Sequence, residues 1–410
     1  MQRFWAVALT LVSVQLANAQ SMSAQPVSAQ ALEPADWQAI TQAARGQTVY
    51  FNAWGGAPVI NDYIRWAGEQ VSERYGIELE HVRVADISEV VARVLAEKTA
   101  GREQQGRVDL MWINGDNFRA MKDNELLFGP WTHWQPNYQY VDLVGKPTVL
   151  FDFSTQVDNL ESPWGMAQLV FQYDSARIEQ PPRSMLALLD FAKQHPGRVT
   201  YPLPPAFHGT TFIKQALLEL VEDRAPLYQP VQEADFAAVT APLWQFLDQL
   251  HPLMWQQGRR FPSGAPQMTQ MLADGDIFIG LSFNPNDASN AIANGELPDT
   301  VRTYVHDAGT LGNTHFLAIP FNAANKEAAM VLSNFLLSPE AQAHKADVRV
   351  WGDPTVLAID LLPQADQQRF AELPLGVATL SPQELGAVLP EPHASWVDAL
   401  NQAWLARYSR

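Results

Sequence analysis

Two periodicities alternate between residues 48 and 113, and that alternation constrains this chain more than anything else in it. An apolar run from Thr48 to Ala53 ends in Trp54-Gly55-Gly56-Ala57-Pro58. Behind it, Ile60, Tyr63, Ile64, Ala67, Val71 and Tyr75 recur at helical spacing, and Gly76 stops the pattern. Ile77 to Val84 alternates apolar and polar, Val90, Val91, Val94 and Leu95 make a second helical stripe, and Val108 to Ile113 is apolar almost throughout. A β-α-β-α-β order predicts a parallel sheet with right-handed crossovers. Ligands of open α/β sheets bind outside the carboxyl ends of the strands. That makes Trp54-Gly55-Gly56 and Asn114-Gly115-Asp116-Asn117 candidate binding elements. The glycines allow close backbone approach, Trp54 offers a stacking face, and the following helix start presents free N–H groups. A dinucleotide fingerprint is disfavoured, because the spaced third glycine is missing.

Residues 130–160 are aromatic and proline-rich, with few helical signals. Glu161 to Tyr173 then reads as one long extended segment, suited to bridging two lobes. A helix is expected over 183–194 and a strand over 198–202, ending in Tyr201-Pro202. Phe207-His208-Gly209-Thr210-Thr211 opens another helix. Further helices are expected over 236–250 and within 262–272. Asp276 to Phe283 reads as a strand that runs into the turn Asn284-Pro285-Asn286-Asp287. Strands at 300–304 and 314–320, helices at 325–337 and from Ser338, and a helix over 396–408 complete the chain. The strand ends share one chemistry. Trp54, Gly55 and Gly56; Asn114 and Asn117; Tyr201 with His208, Gly209 and Thr210; and Phe283 with Asn284 combine small, aromatic, amide and hydroxyl groups. Such groups hydrogen-bond without fixed charge and attract flat or cationic solutes, so together they point to a cleft for a small polar or cationic molecule.

Composition narrows the class. Arg3, the apolar stretch Phe4–Leu16 and Ala17-Asn18-Ala19 predict a cleavable signal peptide over residues 1–19, followed by a lead-in over 20–44 that is flexible over 20–36 and a short helix over Asp36 to Ala44. The apolar stretch is too short for a stable membrane span. With no cysteine there is neither a disulfide nor a thiolate metal site. A net charge of −17 disfavours nucleic acid and anionic membrane as partners. Enzyme signatures are thin: Gly280-Leu281-Ser282-Phe283-Asn284 fails G-x-S-x-G at its last position, and the nine histidines lack metal-ligand spacing. Asp109, inside an apolar strand, is expected to make structural hydrogen bonds. The competing functional class is a secreted enzyme using His208 or His315 with Asp287 or Asp307 as acid–base partners.

The predicted leader, the β-α-β-α-β opening, the 162–173 crossing, the return through Phe316-Leu317-Ala318-Ile319-Pro320 and the run Ala328 to Gln342, with its Phe335-Leu336-Leu337-Ser338-Pro339-Glu340-Ala341-Gln342, resemble a family. It is that of the type II periplasmic solute-binding proteins of ABC uptake systems. The Tyr50–Pro58 and Asp109–Asn117 stretches look closest to the YnjB-type binding components. The resemblance implies a bilobal α/β fold joined by an extended hinge, with lobe one formed by 45–162 and 306–410 and lobe two by 163–305. It places a solute between the lobes, at Trp54, Gly55, Asn114, Trp164, His208, Gly209 and Asn284. It also implies a periplasmic monomer that hands its solute to a permease and its ATPase, with no cofactor and no metal. No acidic pair is placed for a polyamine and no adjacent tyrosines for iron. Thiamine-like, polyamine and sugar classes stay open, and the Gly209-Thr210-Thr211 helix start suits a phosphate.

Overall fold

The computed structural model describes residues 36–381 and 384–409. The predicted signal peptide and most of the lead-in lie outside them. The strands are β1 (Thr48–Trp54), β2 (Glu78–Val84), β3 (Leu110–Ile113), β4 (Phe151–Asp152), β5 (Thr155–Gln156), β6 (Glu161–Gln168), β7 (Val170–Asp174), β8 (Ile279–Ser282), β9 (Val301–Tyr304), β10 (Thr310–Ala318) and β11 (Val388–Leu389). The helices are α1 (Trp37–Ala43), α2 (Pro58–Tyr75), α3 (Ser88–Thr99), α4 (Asp116–Asp123), α5 (Met185–Gln194), α6 (Phe207–Leu220), α7 (Phe236–Leu250), α8 (Ala265–Asp274), α9 (Asp287–Ala293), α10 (Lys326–Leu336), α11 (Pro339–Ala346), α12 (Gln364–Ala371) and α13 (Ser395–Tyr408).

The first lobe is built on a six-stranded sheet in the order β2-β1-β3-β10-β11, with β6 on the other edge of β10. β1 pairs in parallel with both β2 and β3, as the opening alternation predicts. β10 runs antiparallel to β3 and β6. Both faces of this sheet are covered, which explains why β3 reads as continuously apolar. Leu110 joins Phe51, Ile64, Leu317 and Phe335 on one face, while Met111 and Ile113 join Val91, Phe118 and Phe316 on the other. α2 starts at Pro58 and ends at Gly76, whose φ of 67° is the left-handed cap that glycine favours. Asp109 is fully buried and structural, as expected. Its carboxylate accepts from Tyr50 N at 3.1 Å and from Asn325 N at 2.8 Å, tying β1 to the start of α10.

The second lobe holds the three-stranded sheet β8-β7-β9 and a core including Phe171, Phe212, Leu247 and Leu281. The extended 161–173 segment therefore divides. β6 belongs to the first sheet, β7 to the second, and the crossing falls at Leu169, whose N–H donates to Leu311 O at 2.7 Å. This corrects the expected boundary at 162/163 by about six residues: Pro163 to Gln168 stay paired with β10. The chain returns through Val305–Gly309. Gln215 of α6 holds that return, donating to Gly309 O at 3.0 Å and accepting from Leu311 N at 2.8 Å.

Two further expectations fail. Residues 198–202 form no strand; Arg198 O and Val199 O accept single bonds from Phe278 N and Trp255 N. The C-terminal segment does not stay with the first lobe. Trp396, Leu400 and Trp404 of α13 belong to the second core, beside Tyr201 and Phe212, so a third crossing brings the chain back. The apolar stripe of α13 finds its complement on α6 and α7, and sequence periodicity carries no information about which sheet a stripe will face.

Candidate functional site

The parallel pairing of β1 with β3 brings Trp54 and Asn114 out at neighbouring strand ends of the first lobe. Trp54 is 43% exposed. Its indole folds over Gly56, where a Cβ would collide with the ring, and a Cβ on Gly55 would press on Arg83. These glycines are therefore demanded by local packing. Asn114 and Asn117 are half-buried on either side of Gly115, the residue before α4. From the second lobe, Phe207 and His208 open α6 and Phe283 lies edge-on to Phe207 at 5.1 Å. Burial pushes the His208 imidazole down to about 4, so it is neutral near pH 7.

Two of the places where the lobes meet bear on a site. Asn284, Asn286 and Asn290 donate their amide N–H groups to backbone carbonyls of the first lobe. Asn284 reaches Trp351 O at 3.4 Å, Asn290 reaches Trp351 O at 2.7 Å, and Asn286 reaches Gly352 O. Behind them Trp351, Trp112, Trp164 and His315 pack as an aromatic box over the buried Lys345–Asp353 pair, whose charged atoms are 2.7 Å apart. His315 Nε2 stands 3.2 Å from Asp353. Burial alone would raise the Asp353 carboxyl, but Lys345 and His315 together hold it below its ordinary value.

The second meeting place is a cavity of about 180 Å³ bounded by both lobes and by β10. From the first lobe comes the β4–β5 hairpin, with Phe151, Phe153 and Ser154; from the second come Tyr228, Pro390 and Glu391; β10 adds Gly312 and Asn313. Phe153 takes the first central position of the two-residue hairpin turn at φ 47°, where glycine is usual. A bulky side chain is held there against its backbone preference, facing Lys214 of α6, whose ammonium is 4.9 Å from the ring centre. Lys214 pairs with Glu391 Oε2 at 2.5 Å, both nearly inaccessible. Several buried polar atoms around this cavity have no hydrogen-bond partner among the described residues: Asn313 Nδ2 and Oδ1, Ser154 Oγ, Glu391 Oε1 and, just behind Phe153, Asp152 Oδ1. Burial, with the Glu391 and Asp116 charges near it, raises the Asp152 carboxyl well above its ordinary value.

Some of the expected site residues are placed away from any cleft. Trp164 is 0% exposed, with ring centres of Trp112 at 5.1 Å and Phe51 at 6.0 Å. Tyr201 is equally buried; its hydroxyl accepts from Trp404 Nε1 at 2.8 Å and meets His251 Nε2 at 2.7 Å. Thr210 is committed to Asn401 of α13 at 2.8 Å, and a Cβ on Gly209 would collide with Pro202 O. Asn284 serves the interlobe clasp. Asp307 is taken by Arg183 at 2.7 Å. Phe153, Tyr228, Asn313, Glu391 and Lys214 were missed. The one signal for them was polar character inside apolar patterns: Asn313 within the β10 run, and Lys214 among Phe212, Ile213, Ala216 and Leu217.

Two α/β lobes joined by crossing strands, with a cavity between them, are the architecture expected of a solute-binding protein. Residues 66–358 match the family of bacterial extracellular solute-binding proteins. Protein YnjB of Escherichia coli (strain K12) is 46% identical over 378 residues, covering 92% of this chain and 95% of that protein. The chain belongs to this family, whose members are binding components of ABC transporters and not enzymes. Solved structures share the fold at low identity. The Tp0655 (TpPotD) lipoprotein of Treponema pallidum superposes with a TM-score of 0.64 at 16% identity, covering 88% of this chain and all of that one. The periplasmic binding protein AfuA from Actinobacillus pleuropneumoniae, solved with fructose-6-phosphate, gives 0.60 at 16%, covering 89% and 99%.

Proposed function

We propose that this protein captures a small polar solute between its lobes in the periplasm and delivers it to a membrane permease driven by an ATPase. The observation that carries the reading is the cavity at the junction of the lobes, bounded by the β4–β5 hairpin, β10, Tyr228 and Pro390-Glu391, in a chain of the solute-binding family. Family membership supports the periplasmic location and the permease; no helix among the described residues is long and apolar enough to cross a membrane. Trp54, Asn114, Asn117, His208 and Phe283 form the outer walls of the same cleft in this reading. Solute bridges both lobes and favours the closed form. Native mass spectrometry of protein taken from its own periplasm tests this, with thermal melting before and after the solute is stripped. The expected result is a small-molecule adduct whose removal lowers Tm. Protein that carries no adduct, and whose Tm responds to none of a panel of polyamines, thiamine, sugars and phosphate, contradicts the reading.

A further inference from the structure

The side chains that wall the interlobe cavity are mostly carbon rings. Phe151 and Phe153 come from the β4–β5 hairpin, Tyr228 and Pro390 from the second lobe, and Pro147 from the turn that leads into β4. Asn313, Ser154 and Glu391 border the cavity too, but their unpaired polar atoms are closed off from it. Thr148 spends its hydroxyl on Thr314 at 3.0 Å. Phe153 adds a second observation. It holds φ 47° at the hairpin tip, a conformation that suits glycine. Its ring lies so close over Gly115 that a Cβ there would be 2.8 Å from a ring carbon. Lys214 stands 4.9 Å from the ring centre, paired with Glu391, and does not line the cavity. Backbone strain of this kind persists where the surrounding structure demands the side chain, and it concentrates at ligand clamps.

Such a wall selects by what it withholds. A sugar hydroxyl or a phosphate entering it gives up water and finds no partner. An ammonium meets a Phe153 ring that already carries the Lys214 charge. A flat carbon ring loses no hydrogen bond and packs against the rings of the wall. The size fits: the cavity measures about 180 Å³, and a carbon-lined cavity of about 150 Å³ takes benzene. Phe151, which lines the cavity yet is 47% exposed, marks its open side, where polar groups attached to such a ring stay in water.

We propose that the solute carries an uncharged aromatic ring, that this ring seats in the cavity against Phe153 and Tyr228, and that Phe153 sets the specificity by screening the Lys214–Glu391 pair from it. This rests on the binding-protein reading above. The test uses probes in matched pairs, so that the head group is controlled whatever its charge: benzyl alcohol with methanol, benzylamine with methylamine, and benzoate with acetate. Each is added to the full protein, stripped of solute, and followed by calorimetry and thermal melting, with D-glucose and inorganic phosphate alongside. In at least one pair the ring-bearing member should raise Tm and bind at least about tenfold more tightly than its ringless partner. That affinity should fall about tenfold or more in Phe153→Gly and in Tyr228→Ala. Glycine suits the φ of position 153, so Phe153→Gly should fold, and the unliganded Tm of each variant checks this. Equal binding of both members in every pair overturns the proposal, and so does an affinity unchanged in Phe153→Gly. If glucose or phosphate alone binds, or the solute found by native mass spectrometry has no aromatic ring, the solute class is wrong but the binding reading stands. If no probe binds and native mass spectrometry finds no adduct, both fail.

Discussion

Tyr201, expected at a strand end facing ligand, shows how one residue type serves two roles. An aromatic residue before a turn can face a ligand or anchor a core, and the choice depends on what its hydroxyl meets. Here Trp404 donates to that hydroxyl, and His251 Nε2 lies 2.7 Å from it, so Tyr201 sits in a buried polar cluster of the second core. Burial pushes His251 down to about 4, whereas an unfolded histidine titrates near 6.5. Between those values the unfolded chain binds more protons than the folded one, so stability falls as pH drops from 6.5 towards 4. This group should cost on the order of 2–3 kcal/mol across that window. His208 acts in the same direction. The expected outcome for His251→Gln, followed by urea unfolding at pH 7 and pH 4.5, is a smaller acid loss than in the unmodified protein. An equal loss in the two proteins means that His251 takes up its proton in the folded state at its ordinary pH.

Among the elements, α2 follows the pattern of its own residues. It keeps its apolar stripe buried from Ile60 to Val71 and ends where Gly76 takes φ 67°. Gly76→Ala should therefore cost about 1 kcal/mol, from left-handed strain rather than from crowding, because the space around that Cβ is open. The expected sign is a lower Tm with an unchanged circular dichroism spectrum; no change in Tm means that the cap relaxes without cost. Where elements were misread, the deciding partner is distant in sequence. The 161–173 run is uniformly extended, and only its pairing with β10 on one side of Leu169 and with β8 and β9 on the other divides it. Residues 198–202 have strand composition, yet no neighbouring strand comes alongside them to form a ladder.

At the scale of the whole molecule, the asparagine clasp from Asn284, Asn286 and Asn290 to Trp351-Gly352 joins the lobes through protein groups. Removing two such bonds in Asn286→Ala/Asn290→Ala should weaken the closed arrangement by roughly 1–3 kcal/mol, about a 5- to 150-fold change in the closed-to-open ratio. Small-angle scattering should record a larger radius of gyration for the double variant, and solute affinity should fall with the closed population. A radius equal to that of the unmodified protein would assign closure to other contacts, with Lys214 and Phe153 the next to examine.

The sequence by itself determined the α/β class, the parallel opening of the first sheet, most helix limits and the structural role of Asp109, because each depends on periodicity, caps and turns within about twenty residues of chain. It also marked the Trp54 and Asn114 strand ends, which do emerge side by side. Only the tertiary structure decided where the chain crosses between lobes, that α13 returns to the second core, and that Trp164 and Tyr201 are packing residues. It alone brought Phe153, Tyr228, Asn313 and Glu391, which span some 240 positions, around one cavity. The physical reason is that a side chain's chemistry is set by the groups it meets, and those groups come from strands and helices whose pairing leaves no local trace.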